Sequence, residues 1–176
     1  MPRCERLIDM GRRQFLRGSA IAAAGAAAAV SVPSGAQEVR TQAAMARVEY
    51  PSIRLANIAD LTINRPLEVA FPDDDAPGVL LKLGSRVEGG TGPDEDIVGF
   101  STTCPHKGFP LLYNADDRTL NCRNHYSRFD CEAGGQQIWG HAAQNLPQYA
   151  LRIDENGDIY AEGVDELLYG RLSNVL

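Results

Sequence analysis

The sequence predicts an all-β domain, an antiparallel sandwich that carries a small lobe. Three observations predict it. From residue 51 onward, β-rich runs alternate with turns rich in Gly, Pro, Asn and Asp. No helical period lasts before the tail, where 164–170 reads as one or two helical turns. Two short Cys/His segments interrupt the β-rich region. In order, 52–55, 67–71, 79–83 and 97–101 read as strands from their Val, Ile, Leu and Phe content. The loops 104–109 and 122–129 build the lobe, which spans about 100–145, and 136–139 is a further strand. The run 151–163 is the clearest hairpin, with Asn156-Gly157 expected to form a type I′ turn. The acidic runs Asp73-Asp74-Asp75 and Asp94-Glu95-Asp96 fall among Gly and Pro and are expected to be solvated turns.

The chain has 176 residues, room for one ordinary domain, and 44% apolar with 23% charged residues is a globular composition. A net charge of −6 argues against nucleic acid, whose phosphates need clustered Lys and Arg. There is no internal repeat, Walker loop, GxSxG or HExxH, so the common solenoid, nucleotide-binding and hydrolase signatures are missing.

The first 36 residues differ from the rest. Arg12-Arg13-Gln14-Phe15-Leu16-Arg17 places a twin arginine before a run of Ala, Gly and Val, and Ser34-Gly35-Ala36 ends it with small residues. This pattern predicts a twin-arginine signal over 1–36, a linker over 37–50 and the domain over 51–176. A retained membrane anchor is the alternative. The uncharged stretch is long enough but poor in Leu, Ile and Phe, so no firm anchor is expected. Such a signal implies a periplasmic protein exported already folded. Residues 1–36 hold five of the 17 basic and two of the 23 acidic side chains, which leaves 12 and 21, or −9, beyond them.

Four cysteines and three histidines are present. Cys4 lies in the signal, so Cys104, Cys122 and Cys131 cannot all pair. Cys104-Pro105-His106 and Cys122-Arg123-Asn124-His125, with fifteen residues between them, gather two of those cysteines and two of the histidines. Two thiolates and two imidazoles are a complete donor set, which leaves Cys131 as a small buried apolar residue and His141 as a surface loop residue. A structural zinc would accept that set. The single residue separating Cys104 from His106 favours a two-iron cluster instead, because it points the two side chains apart, toward different metals.

Cys104-Pro-His-Lys-Gly-Phe-Pro-Leu and Cys122-Arg-Asn-His-Tyr-Ser-Arg-Phe-Asp resemble the loops of Rieske [2Fe–2S] proteins, and 139–147 is similar to the third loop that covers their cluster. The resemblance covers roughly 95–165 and implies a Rieske-type antiparallel β sandwich with one [2Fe–2S] cluster. Cys104, His106, Cys122 and His125 would be its ligands, thiolates on one iron and imidazoles on the other. Lys107, Gly108, Phe109, Asn124, Ser127 and Phe129 would surround it. The respiratory members carry a loop disulfide, and the matching positions here are Phe109 and Asn124, so Phe109 packing is expected to hold the loops together. They also carry a Tyr where this chain has Phe129, which donates no hydrogen bond, whereas the Ser127 hydroxyl is a candidate donor to a sulfur.

An exported, short protein with these strings most resembles the small subunit of bacterial arsenite oxidase. That implies an electron-transfer subunit without substrate chemistry of its own. Its partners would be a large catalytic subunit with a molybdenum pterin and a [3Fe–4S] cluster, and a soluble cytochrome c or copper protein as acceptor. A Rieske subunit of a cytochrome bc-type complex and a structural zinc module are the alternatives.

Overall fold

A computed structural model describes residues 50–172. The predicted signal and nearly all of the 37–50 linker lie outside them. Ten strands follow in order: β1 (Ile53–Asn57), β2 (Leu67–Ala70), β3 (Pro77–Lys82), β4 (Ile97–Ser101), β5 (Leu111–Asn114), β6 (Thr119–Cys122), β7 (Arg128–Asp130), β8 (Gln136–Trp139), β9 (Tyr149–Ile153) and β10 (Asp158–Val164). They form three antiparallel sheets, ordered β1-β10-β9, β2-β3-β4 and β5-β6-β7-β8. The expected all-β class holds.

The sheet β2-β3-β4 is central because it buries both faces. Alternate residues of a strand point to opposite sides. Val79 and Leu81, with Val98 and Phe100, pack toward Leu111, Leu120, Phe129 and Leu146 of the lobe. Leu80 and Ile97 point the other way, onto Ala56 and Ile159 of the β1-β10-β9 sheet. That two-sided burial is why 79–81 and 97–100 read as apolar runs rather than as alternating ones. The metal-binding lobe is therefore built on a wall already fixed from behind.

Several local expectations are corrected. The Asn156-Gly157 turn is not type I′, since Gly157 has positive φ (80°) and Asn156 is not among the positive-φ residues. The loop is one step wider. Gly157 N–H donates to the Asp154 carbonyl at 3.1 Å, and the Asp154 carboxylate accepts the amides of Asn156 and Asp158 at 2.9 Å each. An aspartate bonding its own following backbone outcompetes the tighter turn. The tail over 164–170 is not helical: β10 runs to Val164 and irregular chain follows, and the sole helical element among the described residues is the short 3-10 turn Ile58–Asp60. It is closed by an unforeseen capping box in which the Asn57 and Asp60 side chains bond each other's backbone amides. The lobe is more than two loops, because β5, β6 and β7, unread in the sequence, join β8 in a four-stranded sheet. Asp96 is not solvated either. It is 1% exposed, accepts the Gly84 amide at 3.0 Å and lies 3.7 Å from the Lys82 ammonium. Among the described residues no helix is long and apolar enough to cross a membrane.

Candidate metal centre

The two Cys/His loops share one backbone plan. In the first, Cys104 N–H donates to the Phe109 carbonyl and Gly108 N–H donates to the Cys104 carbonyl, both at 2.8 Å. In the second, Cys122 N–H donates to the Ser127 carbonyl at 2.8 Å and Tyr126 N–H to the Cys122 carbonyl at 3.0 Å. Each loop thus closes on its cysteine at the same offsets. The residue four beyond each cysteine has positive φ, Gly108 at 70° and Tyr126 at 61°. Glycine accepts that conformation freely, whereas tyrosine holds it at a cost of about 1–2 kcal/mol. The Thr103–Pro110 bridge and the Leu111–Cys122 register set the loops side by side at one end of the lobe.

That plan sorts the donors. Cys104 and Cys122 are 0% and 2% exposed, whereas His106 is half-buried and His125 exposed. The two imidazole centroids are 4.9 Å apart and nearly perpendicular, at 82°. Burial pushes the Cys104 thiol up, and Cys122 beside it pushes the same way, against the opposing pull of the His106 and Lys107 backbone amides. Burial, with His125, His141 and Lys107 nearby, holds His106 below the ordinary histidine range. Cys104, Cys122 and Cys131 are all free thiols. Cys131 is 0% exposed in the core beneath the loops, as expected of a small apolar residue, and burial holds its thiol far above the ordinary range.

The surrounding residues fall as follows. Lys107 and Asn124 are exposed. Gly108 has no room for a side chain, because a Cβ there would overlap the Tyr169 ring. Phe109 lies 5.6 Å from the His125 ring, centroid to centroid, so it does join the first loop to the second. Phe129 is fully buried in the core behind the site. Ser127 is fully buried too, and its Oγ accepts the amides of His141 (3.2 Å) and Ala142 (3.1 Å), tying the third loop to the second. Gly140 turns there at φ 96°, so close that a Cβ would overlap the Ser127 backbone.

Sequence reasoning undervalued three things. His141 is exposed as expected, but its ring stacks on His106, with centroids 5.7 Å apart at 26°. Tyr126 and Trp139, at 69% and 67% exposure, flank an open depression between Arg123 and Arg128 beside Cys122. Tyr169, far along the chain, reaches the first loop. The exposed aromatics were readable from their polar neighbours, Tyr126 between His125 and Ser127 and Trp139 at the end of a strand begun by two glutamines. The Tyr169 contact had no local signal.

Residues 54–150 match the Rieske [2Fe–2S] domain. The chain belongs to the Rieske family. It is similar to the iodate reductase subunit IdrB of Denitromonas iodatirespirans, 40% identical over 131 residues that cover 73% of this chain and 70% of that one. The iodate reductase subunit IdrB of Pseudomonas sp. strain SCT is 37% identical over 92% of this chain and 82% of its own. The Rieske subunit of the cytochrome bc1 complex of Corynebacterium efficiens is 38% identical over 39% of this chain and 17% of that one. Among solved structures, the soluble domain of Rieske protein II of Sulfolobus acidocaldarius has the same fold, with a TM-score of 0.63 at 23% identity over 70% of this chain and 82% of that one. The cofactor of this Rieske domain is a [2Fe–2S] cluster, and the protein is an iron–sulfur electron carrier. The residues present fit it. His106 Nδ1 is buried without a hydrogen-bond partner, which leaves a lone pair for a metal. The thiols of Cys104 and Cys122 lie together and inside, and the imidazoles of His106 and His125 together and toward the surface. This sorted arrangement suits a two-iron cluster, in which the thiolates would hold one iron and the imidazoles the other.

Proposed function

We propose that this chain is the electron-transfer subunit of an exported oxidoreductase, with Cys104, His106, Cys122 and His125 as the four cluster ligands. The observation that carries the ligand assignment is the sorting of two buried thiols from two outward imidazoles. The cluster supplies one-electron storage at roughly −150 to +300 mV, above all-cysteine clusters, because neutral imidazoles replace two thiolates.

The chain's own residues do the rest. The amides of His106 and Lys107 favour the Cys104 thiolate. Ser127 Oγ spends its acceptor capacity on two amides, so its own proton remains available to a sulfur. His106 and His125 lie toward the surface and shorten the distance to a partner, and Phe109 beside His125, with Tyr126 and Trp139 beside Cys122, offers apolar area for docking. In this reading the substrate chemistry is left to the catalytic partner.

The substrate belongs to the catalytic partner, a large molybdenum-pterin subunit with a [3Fe–4S] cluster, and a soluble cytochrome c or copper protein would be the external carrier. Iodate is the first candidate, because the relatives that cover 73% and 92% of this chain are iodate reductase subunits. Arsenite is the second, supported by the resemblance of the strings at 104–111 and 122–130 to the arsenite oxidase small subunit. A bc-type partner is less favoured, since that similarity reaches 39% of the chain. The twin-arginine pattern over 1–36 supports a periplasmic location.

Affinity isolation of the full chain from its native host tests this reading. A large molybdenum-containing chain should co-purify from a detergent-free periplasmic extract. The complex should oxidise a reduced viologen dye with iodate, or reduce an artificial acceptor with arsenite. A cytochrome b partner, or isolation that requires detergent, would refute it.

A further inference from the structure

We infer that the C-terminal segment 165–171 is a strap that holds the cluster loops, with Tyr169 positioning the loop that carries Cys104 and His106. This rests on the ligand assignment above and adds residues that lie well outside the Cys/His motifs.

The segment is anchored along its length. Asp165 accepts the Gln148 amide on Oδ1 at 2.7 Å and donates its own amide to the Gln148 carbonyl at 3.1 Å. Gln144 Nε2, in the third loop, donates to the Leu167 carbonyl at 3.2 Å. Leu168 is 4% exposed. Arg171 makes a bidentate pair with the Asp73 carboxylate in the turn between β2 and β3, with Nη2 at 2.7 Å from Oδ1. Between these anchors the Tyr169 ring lies against Gly108, where any Cβ would overlap it. The strap therefore touches the first loop at Gly108 and the third at Gln144, and it is tied at both ends to the sandwich.

Its role follows from what the loops lack. Cys104 and Cys122 are free, and positions 109 and 124 hold Phe and Asn, so no disulfide joins the loops, and their packing has to hold them around the cluster they would share. The Phe109–His125 contact and the Ser127 bonds hold the first loop to the second and the second to the third. The strap closes the remaining side, between the third loop and the first. A ring laid on a left-handed glycine also limits opening of the Cys104–Gly108 turn, the motion that would expose Cys104 to solvent.

The test uses full-length holoprotein and three variants, Y169A, Y169F and R171Q. Iron release to an excess of chelator is followed by loss of visible absorbance, amide exchange is read at Gly108, and the reduction potential is measured for each. The strap predicts that Y169A speeds iron release and Gly108 exchange at least tenfold and shifts the potential. Y169F should stay within twofold of wild type, and R171Q should fall between. Amide exchange within β3 and β4 should be unchanged in all three. If Y169A releases iron and exchanges Gly108 within twofold of wild type, or if Y169F is as impaired as Y169A, the strap is overturned. Wild-type protein without iron would instead overturn the ligand assignment, and Gly108 exchange would then decide the strap alone.

Discussion

Replacing Ser127 with Ala removes one oxygen and leaves the backbone of the second loop in place. That oxygen accepts two amides, from His141 at 3.2 Å and Ala142 at 3.1 Å, in a fully buried position. Two neutral hydrogen bonds at about 0.5–1.5 kcal/mol each amount to about 1–3 kcal/mol. The exposed position of His141 lets water reach its amide and favours the lower half of that range, whereas Ala142 is half-buried. For a domain of this size the loss corresponds to a melting temperature lower by roughly 4–12 °C. Circular dichroism melts of wild-type and S127A holoprotein at equal iron content measure it, and the reduction potential is read on the same samples. Because the remaining Ser127 proton is the donor that would stabilise the reduced cluster, the potential should fall together with the melting temperature. An unchanged melting temperature would show that Ser127 does not tether the third loop. A lowered melting temperature with an unchanged potential would show that its proton does not reach the cluster.

Three further outcomes are expected. G108A places a Cβ in the left-handed region and against Tyr169, and because that ring is 44% exposed and can yield, the cost is about 1–3 kcal/mol, seen as a lower melting temperature. C131A keeps full iron content whereas C104S loses the cluster, and alkylation of the native protein leaves Cys131 unmodified because burial keeps its thiol protonated; iron and labelling analyses check both. Arg171 holds the Asp73 carboxyl below the ordinary aspartate range, so the pair's contribution is complete above that range and is lost as pH falls through the depressed value. Gly108 amide exchange, corrected for intrinsic rate, should therefore accelerate only below about pH 4.

The convergence of Cys104, His106, Cys122 and His125 was legible because a metal site concentrates rare residue types within a few positions, here in two short Cys/His pairs. The strand 97–101 was legible to the residue, since β4 buries all five of its residues and has no polar residue before Ser101. Strands β5, β6 and β7 were not. At three or four residues each, with Asn and Arg facing outward, they carry too little periodicity, and pairing with neighbours is what makes them strands. Asp96 was misread for a similar reason: three acids in a row look solvated, and only the fold brings the Gly84 amide and Lys82 to the third.

By itself the sequence determined the all-β class, the clustering of two Cys/His pairs that nominates them as cluster ligands, and the lack of cysteines at positions 109 and 124, because each depends on residue identity and short spacing. Only the tertiary structure decided which donors face inward, that His141 stacks on His106, that the central sheet is buried on both faces, and that Tyr169 covers Gly108 while Arg171 anchors to Asp73. These contacts join residues up to 98 positions apart. No local pattern encodes them, since the free energy that selects them comes from packing the whole chain.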